Sequence, residues 1–337
     1  MGLPFRLFQA LDEVPADFGP SALTIGNFDG VHIGHRRILR RVRQLADEHG
    51  WKASVLTFDP HPAQVVAPDR APQLMTTPQQ RAELMRDAGI EQVLILPFTP
   101  EVAGLTAEQF VQNILVASLG ARAVVVGANF RFGNKKAGDT RLLETLGKRL
   151  GFLTEIVPAV MCRRMRVSSS ALREAVTAGD VSRAGRLLMR PYALEGAVVP
   201  GRGEGAKKTV PTLNVAPRTE LSPRVGVYVT RTRDLADGRT WESVTNVGYR
   251  PTFGASERLT IETFLLEPLT GKTPHSIRVE FLRRVRDERK FESPEALKAQ
   301  ILKDVTRARA YFRRTARWKR EPVLEYAKGE ANETVRR

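Results

Sequence analysis

Gly26-Asn27-Phe28-Asp29-Gly30-Val31-His32-Ile33-Gly34-His35 is the stretch on which the reading of this chain turns. An apolar strand pattern precedes it (Ala22, Leu23, Ile25), and Ile38, Leu39, Val42 and Leu45 recur behind it at helical spacing. His32 and His35, with Gly34 between them, fall on one face of the first helical turn. The free N–H groups and positive dipole end of that turn favour phosphate, and glycine lets backbone approach a ligand closely. A strand, a tight turn and a helix start with two imidazoles predict a polyphosphate site. The competing reading is a surface helix cap with two solvated histidines.

The next segments repeat the pattern. Apolar strands are expected at 22–27, 53–58, 92–97, 122–127 and 153–159, separated by amphipathic helices. Near-continuous apolar strands alternating with helices predict a parallel sheet covered on both faces. Ligands bind such sheets beyond the carboxyl ends of the strands. Asn27-Phe28-Asp29, Asp59-Pro60-His61-Pro62 and Asn129-Phe130-Arg131-Phe132-Gly133 all follow strands and converge on that edge.

At 337 residues the chain is long enough for two cores. Around 180–195 the texture changes to strands and turns, with candidates at 193–199, 225–231, 243–247, 259–266 and 276–283. These predict a small antiparallel barrel or sandwich. A closing helix is marked by Ser293 as N-cap and Pro294 at its first position, with Leu297, Ile301 and Val305 on one stripe. The expected division is 1–185, 186–318, and a charged tail 319–337.

No apolar run reaches the ~18 residues of a membrane span, and the start lacks a signal-peptide pattern, so no membrane partner and a cytoplasmic location are expected. The single cysteine, Cys162, excludes an internal disulfide and a cysteine-based zinc site. The net charge of +16 fits nucleic-acid binding or polyanionic substrates. The basic residues are dispersed (Arg36, Arg37, Arg40, Arg41, Arg43; Arg283, Arg284, Arg286) and not interleaved with aromatics. Small anions are therefore expected, with nucleic acid not the principal ligand. The sequence offers no reading of oligomeric state.

Three further clusters carry chemistry. Arg166-Val167-Ser168-Ser169-Ser170-Ala171-Leu172-Arg173 suits a phosphate clamp or a plain serine N-cap. Gly201 to Asn214 holds Gly203, Gly205 and Lys208, able to fold over phosphates, and Thr212 and Asn214, two hard oxygens for Mg²⁺; a Gly/Lys hairpin turn is the alternative. Glu262 interrupts an apolar strand, sharing a face with Phe264 and Leu266 while Ile261 and Leu265 take the other. It suits a general base with a raised pKa, or an ion pair with Arg258.

With these residues in place the chain resembles the bifunctional prokaryotic riboflavin kinase/FMN adenylyltransferases. The likeness rests on Gly26 to His35, Phe58 to Pro62, Gly127 to Gly133, Arg166 to Arg173, Arg190-Pro191-Tyr192, Pro211 to Asn214, Asn246 to Gly254, Ile261 to Thr263 and Asp287 to Phe291. The resemblance implies a Rossmann-like nucleotidylyltransferase domain and a six-stranded antiparallel kinase barrel with a C-terminal helix. ATP would be co-substrate, Mg²⁺ the cofactor, and riboflavin, FMN and FAD the substrates and products. His32 and His35 would hold ATP phosphates and stabilise the departing pyrophosphate. Gly26, Asn27, Phe28, Gly34, Asn129, Arg166, Ser169 and Ser170 would line the nucleotide site. Asp59, His61, Arg131 and Arg286 would meet flavin. Thr212 and Asn214 would bind Mg–ATP, and Glu262 would take the riboflavin 5′-hydroxyl proton. Three departures stand out: Ser170 replaces a threonine, Thr209 a glycine in the kinase loop, and Met189 a glycine before Arg190. The alternative to two activities is an adenylyltransferase whose barrel is an impaired, flavin-binding module.

Overall fold

Residues 5–200, 212–251 and 257–320 are described by the computed structural model. Gly203, Gly205, Lys208 and Thr209 lie outside them, as do the side chain of Arg258 and the tail beyond 320. The chain forms two compact units, Met1–Tyr192 with Arg218–Pro223, and Ala193–Pro217 with Arg224–Arg337.

The first unit is built on six parallel strands, β1 (Arg6–Phe8), β2 (Ser21–Ile25), β3 (Lys52–Asp59), β4 (Gln92–Pro97), β5 (Ala121–Gly127) and β6 (Leu153–Val157). Their order is β1-β4-β3-β2-β5-β6. Strand β1 escapes sequence reading because three residues are too few to show a period. Alternate residues serve opposite faces. Leu23, Ile25, Val124 and Val126 join one core; Ala22, Ala123 and Val125 join the other with Leu39, Val42 and Leu45 of α1 (Ile33–His49). Two covered faces explain strands with almost no polar alternation. The order reverses between β2 and β5, and a crevice opens at such a switch point.

Helices α2 (Pro62–Val66), α3 (Pro78–Arg86), α4 (Pro100–Gly104), α5 (Ala107–Gln109, continuing as a π-helical run Phe110–Ser118) and α6 (Thr140–Leu150) connect the strands. A hairpin of β7 (Met161–Cys162) and β8 (Met165–Arg166) precedes α7 (Ser169–Thr177) and α8 (Val181–Leu188). The buried Tyr192 hydroxyl donates to the Leu221 carbonyl at 2.6 Å, tying the segment Arg218–Pro223 into this unit.

The second unit is a closed barrel rather than a sandwich, ordered β10-β13-β12-β11-β14-β9. Its strands are β9 (Tyr192–Val199), β10 (Thr212–Pro217), β11 (Gly226–Asp234), β12 (Thr240–Pro251), β13 (Glu257–Leu265) and β14 (Ser276–Arg286), paired antiparallel. Strand β10, which the sequence presents as loop, carries Thr212 and Asn214. Buried hydroxyls of Thr230, Ser243, Thr245 and Thr263 chain together at 2.7–2.9 Å, so its polar groups satisfy one another.

Helix α9 (Pro294–Arg320) starts where expected, the Ala296 N–H bonding Ser293 Oγ at 3.2 Å. Its buried stripe differs from the expected Leu297, Ile301 and Val305. Leu297 is exposed and Ile301 and Val305 are half-buried at the edge of the seam, while Gln300, Asp304, Ala308 and Phe312 face inward. Ala308 and Phe312 pack on Val227, Val229 and Val244. Polar residues enter the stripe because Asp304 pairs with Arg286 at 2.8 Å and accepts from Gln300 at 2.9 Å. A pattern of apolar residues alone hides such a seam.

Candidate active sites

A cleft of about 1280 Å³ opens beyond the carboxyl ends of the first unit's strands. Gly26, Asn27, Phe28, His32, Gly34, His35, Asn129, Arg131, Arg166, Ser169 and Ser170 all line it. Three separate segments of the chain therefore meet there; of the post-strand groups, Asn27-Phe28 and Asn129 to Gly133 are on the lining and Asp59 and His61 are not.

The β2–α1 turn is tightly wound. Phe28, Gly30 and Val31 have φ of 49, 80 and 40°. Positive φ in a β-branched residue is strained, and its surroundings must hold it. Arg190 donates to the carbonyls of Gly30 at 2.8 Å and Val31 at 3.2 Å. Thr76 Oγ1 accepts the Gly30 N–H at 3.1 Å, and Ser169 Oγ donates to the Asp29 carbonyl at 3.3 Å.

His32 caps α1, its Nδ1 accepting the His35 N–H at 3.2 Å. With Nδ1 occupied as acceptor, the neutral ring carries its proton on Nε2, a donor for phosphate. The two imidazoles stack at 3.6 Å between centroids, and Phe28 packs on His35 at 4.9 Å. Burial pushes His32 down to about 4 and holds His35 well below 6.5, with the neighbouring His32 adding to the latter. Both rings are thus neutral donors in the free protein. A Cβ on Gly34 would lie 3.1 Å from the His32 ring, so a larger residue there would press on the imidazole.

Ser168 is the N-cap of α7, accepting the Ala171 N–H at 3.2 Å, so that serine takes the plain capping role. Ser169 and Ser170 remain at the cleft. Aromatic pairs furnish an apolar wall, Phe130 on Phe132 and Phe58 against Phe98, each at 5.4 Å. Phe98 and Val102 lack any chemical signal in the sequence and are brought in by the fold. Asp59 and His61 sit at the end of β3 and start of α2, off the cleft lining: Asp59 lies 3.9 Å from Arg81, and His61 Nε2 lies 2.9 Å from the Asn27 amide.

On the barrel, Asn214 of β10 and Asn246 of β12 flank Glu262 as its register partners on either side. Directly paired residues share a face, so these three and Thr212 share one. Ile261, Thr263 and Leu265 are buried on the other, as the alternation predicts. Arg286 is bound through Nε and Nη2 to Asp304 at 2.9 and 2.8 Å, which fastens β14 to α9. Among the described residues no group of three His, Cys, Asp or Glu is placed to hold a metal ion.

A phosphate-suited cleft at a sheet switch point and a separate barrel bearing hard oxygens beside a carboxylate define a two-site enzyme of phosphoryl-group chemistry. The FAD synthetase family model matches residues 14–171, and the riboflavin kinase model matches 188–312. Bifunctional riboflavin kinase/FMN adenylyltransferases are 36% identical in Pseudomonas fluorescens, over 90% of this chain and 97% of that protein, and 35% identical in Escherichia coli K12, over 86% and 92%. A crystal structure described as a macrolide-efflux protein from Streptococcus pneumoniae shares the fold, with TM-score 0.79 and 25% identity over 91% of this chain and 99% of that one. No described helix is long and apolar enough to cross a membrane. The chain belongs to the bifunctional riboflavin kinase/FMN adenylyltransferase family and carries both of its transferase domains.

Proposed function

We propose that the first unit's cleft joins FMN to the adenylyl group of ATP, and that the barrel supplies FMN by phosphorylating riboflavin. The convergence of the Gly26–His35, Asn129–Arg131 and Arg166–Ser170 segments on one cleft carries this reading. In adenylylation an FMN phosphate oxygen attacks the α-phosphorus of ATP, the bond to the bridging oxygen breaks, and pyrophosphate leaves. His32 and His35 donate to phosphate oxygens whose charge grows as that bond breaks, an interaction strongest in the transition state. Asn27 and Asn129 orient the phosphates, Arg166, Ser169 and Ser170 close on them, and Arg131 meets the flavin end along the phenylalanine wall.

In the barrel, Glu262 accepts the riboflavin 5′-hydroxyl proton as the oxygen attacks the γ-phosphorus of ATP, the bond from that phosphorus to the β,γ-bridging oxygen breaks, and ADP leaves. Thr212 and Asn214, two residues apart on β10, project on the same side as Glu262 and suit a small hard cation that keeps phosphate and water oxygens as its remaining ligands. Bound Mg²⁺ would neutralise the triphosphate charge there. Gly203, Gly205 and Lys208 complete the phosphate loop in this reading, and Arg286 positions the flavin side through its link to α9.

The basic excess then serves ATP, FMN and pyrophosphate, with nucleic acid no principal ligand, and the cytoplasm, where ATP is made available, is the expected compartment. Thr209, in place of glycine, motivates the second reading of an impaired kinase. Purified protein given riboflavin, ATP and Mg²⁺, with products separated, distinguishes the two. FMN and FAD together support the proposal, FAD from added FMN alone supports the impaired barrel, and neither product overturns both.

A further inference from the structure

Asn27 is fixed by its backbone and free only at its amide. Its carbonyl accepts from Arg81 Nη1 at 2.8 Å and from Thr57 Oγ1 at 3.3 Å. Arg81 is 1% exposed and also reaches the Phe58 carbonyl at 3.3 Å, locking the β2 and β3 turns together. What remains undetermined by backbone is which end of the Asn27 amide faces the cleft it lines.

His61 settles that choice. Its Nδ1 accepts the Ala63 N–H at 3.1 Å, and its own N–H donates to Gln64 Oε1 at 3.0 Å, so the ring is held as the N-cap of α2. A neutral imidazole that accepts at Nδ1 carries its proton at Nε2. That Nε2 stands 2.9 Å from the amide position assigned as Asn27 Nδ2. An –NH₂ group cannot face an N–H, and the two ends of an amide are equal in shape, so the hydrogen-bond partners decide the assignment. The oxygen of Asn27 must therefore meet the His61 proton. Burial, with Arg173 and Arg81 close by, keeps His61 below the usual histidine value, which maintains the single-proton ring.

We infer that His61 is a positioning residue for adenylyl transfer, acting through Asn27: its Nε2–H takes the amide oxygen and turns the Asn27 –NH₂ toward the nucleotide phosphates. The role rests on the proposed adenylylation cleft and differs from a direct flavin contact. The Asp-Pro-His-Pro segment thereby orders a donor that belongs to the neighbouring strand's turn. Without it, the amide presents its oxygen to phosphate in part of the population, a repulsive contact.

The test uses the full-length chain in two measurements. Histidine ¹⁵N NMR, with the His61 signals assigned by their loss in His61→Asn, is expected to find Nε2 protonated and Nδ1 bare; the reverse tautomer overturns the inference. His61→Asn keeps a capping oxygen for α2 but loses the imidazole donor. Its kcat for FAD formation should fall about 10²-fold, as expected of misplaced catalytic groups, with KM for ATP and FMN little changed. Asn27→Ala alone and the double variant should then have equal kcat. Losses that multiply in the double variant overturn the role. If His61→Asn unfolds at lower denaturant than wild type, the tautomer measurement decides alone. A wild-type chain making no FAD from FMN and ATP would remove the parent reading, whereas wild-type turnover with multiplying losses removes only the part given to His61.

Discussion

Arg173 meets the carboxylate of Asp29 at 2.5 Å, and that carboxylate is 2% exposed. Asp29 also accepts the N–H groups of Met75 and Thr76 and the Thr76 hydroxyl, at 2.9–3.2 Å. One side chain thus ties the phosphate turn to helix α7 and to the segment before α3. Asp29→Ala should destabilise the first unit by about 3–5 kcal/mol, because it strands a charge and buried donors at once. Arg173→Leu should cost less, since Asp29 keeps its other donors. Urea titrations of both variants check the order, and equal losses would refute it.

Gly34 separates stability from activity. It sits in α1 without positive φ, so Gly34→Ala gains up to about 1 kcal/mol of helix propensity, yet its methyl would crowd the His32 ring. FAD formation should fall roughly 10-fold or more as the imidazole shifts, while riboflavin phosphorylation persists. Parallel assays of the two reactions, with a denaturation curve, read out all three effects.

Acid should weaken the fold through His32. Its pKa is about 4 in the fold, against an ordinary 6.5. Between those values the unfolded chain binds the extra proton, so stability rises with pH. The stability is therefore full above about pH 6.5 and is lost progressively as pH falls toward 4, by about 3 kcal/mol for this group alone. His32→Asn should flatten that part of a stability–pH profile; an unaltered slope would mean the imidazole is not charging there.

Met189 caps α8 in the left-handed conformation, with φ 58° and its side chain exposed. The departure from glycine noted in the sequence thus falls where a Cβ is costly. Met189→Gly should stabilise the chain by about 1 kcal/mol without altering either activity. Thermal unfolding measures it directly.

Glu262→Gln should abolish riboflavin phosphorylation and leave FMN adenylylation intact, because the amide cannot accept the hydroxyl proton and the adenylylation cleft lies in the other unit. Product separation after incubation with riboflavin, or with FMN, tests both halves. Parallel loss of the two activities in a folded variant would remove Glu262 from the role of base.

Much of this protein is written locally. Strand–helix alternation announces the parallel sheet, since burying both faces demands apolar strands, and the Gly26–His35 turn stands out as a strand end, tight turn and helix start that the fold places on the cleft. Glu262 is conspicuous because a carboxylate in an apolar strand needs a reason. Tertiary structure alone decided the rest. The choice between barrel and sandwich fell to the closed barrel when β10 paired with both β9 and β13, a register set by long-range hydrogen bonds. Helix α9 turned Asp304 rather than Leu297 inward because Arg286, on a distant strand, neutralises it. His61 reached Asn27 because β2 and β3 are neighbours, and Arg81 reached it from α3; no spacing along the chain encodes which side chains the fold brings together there.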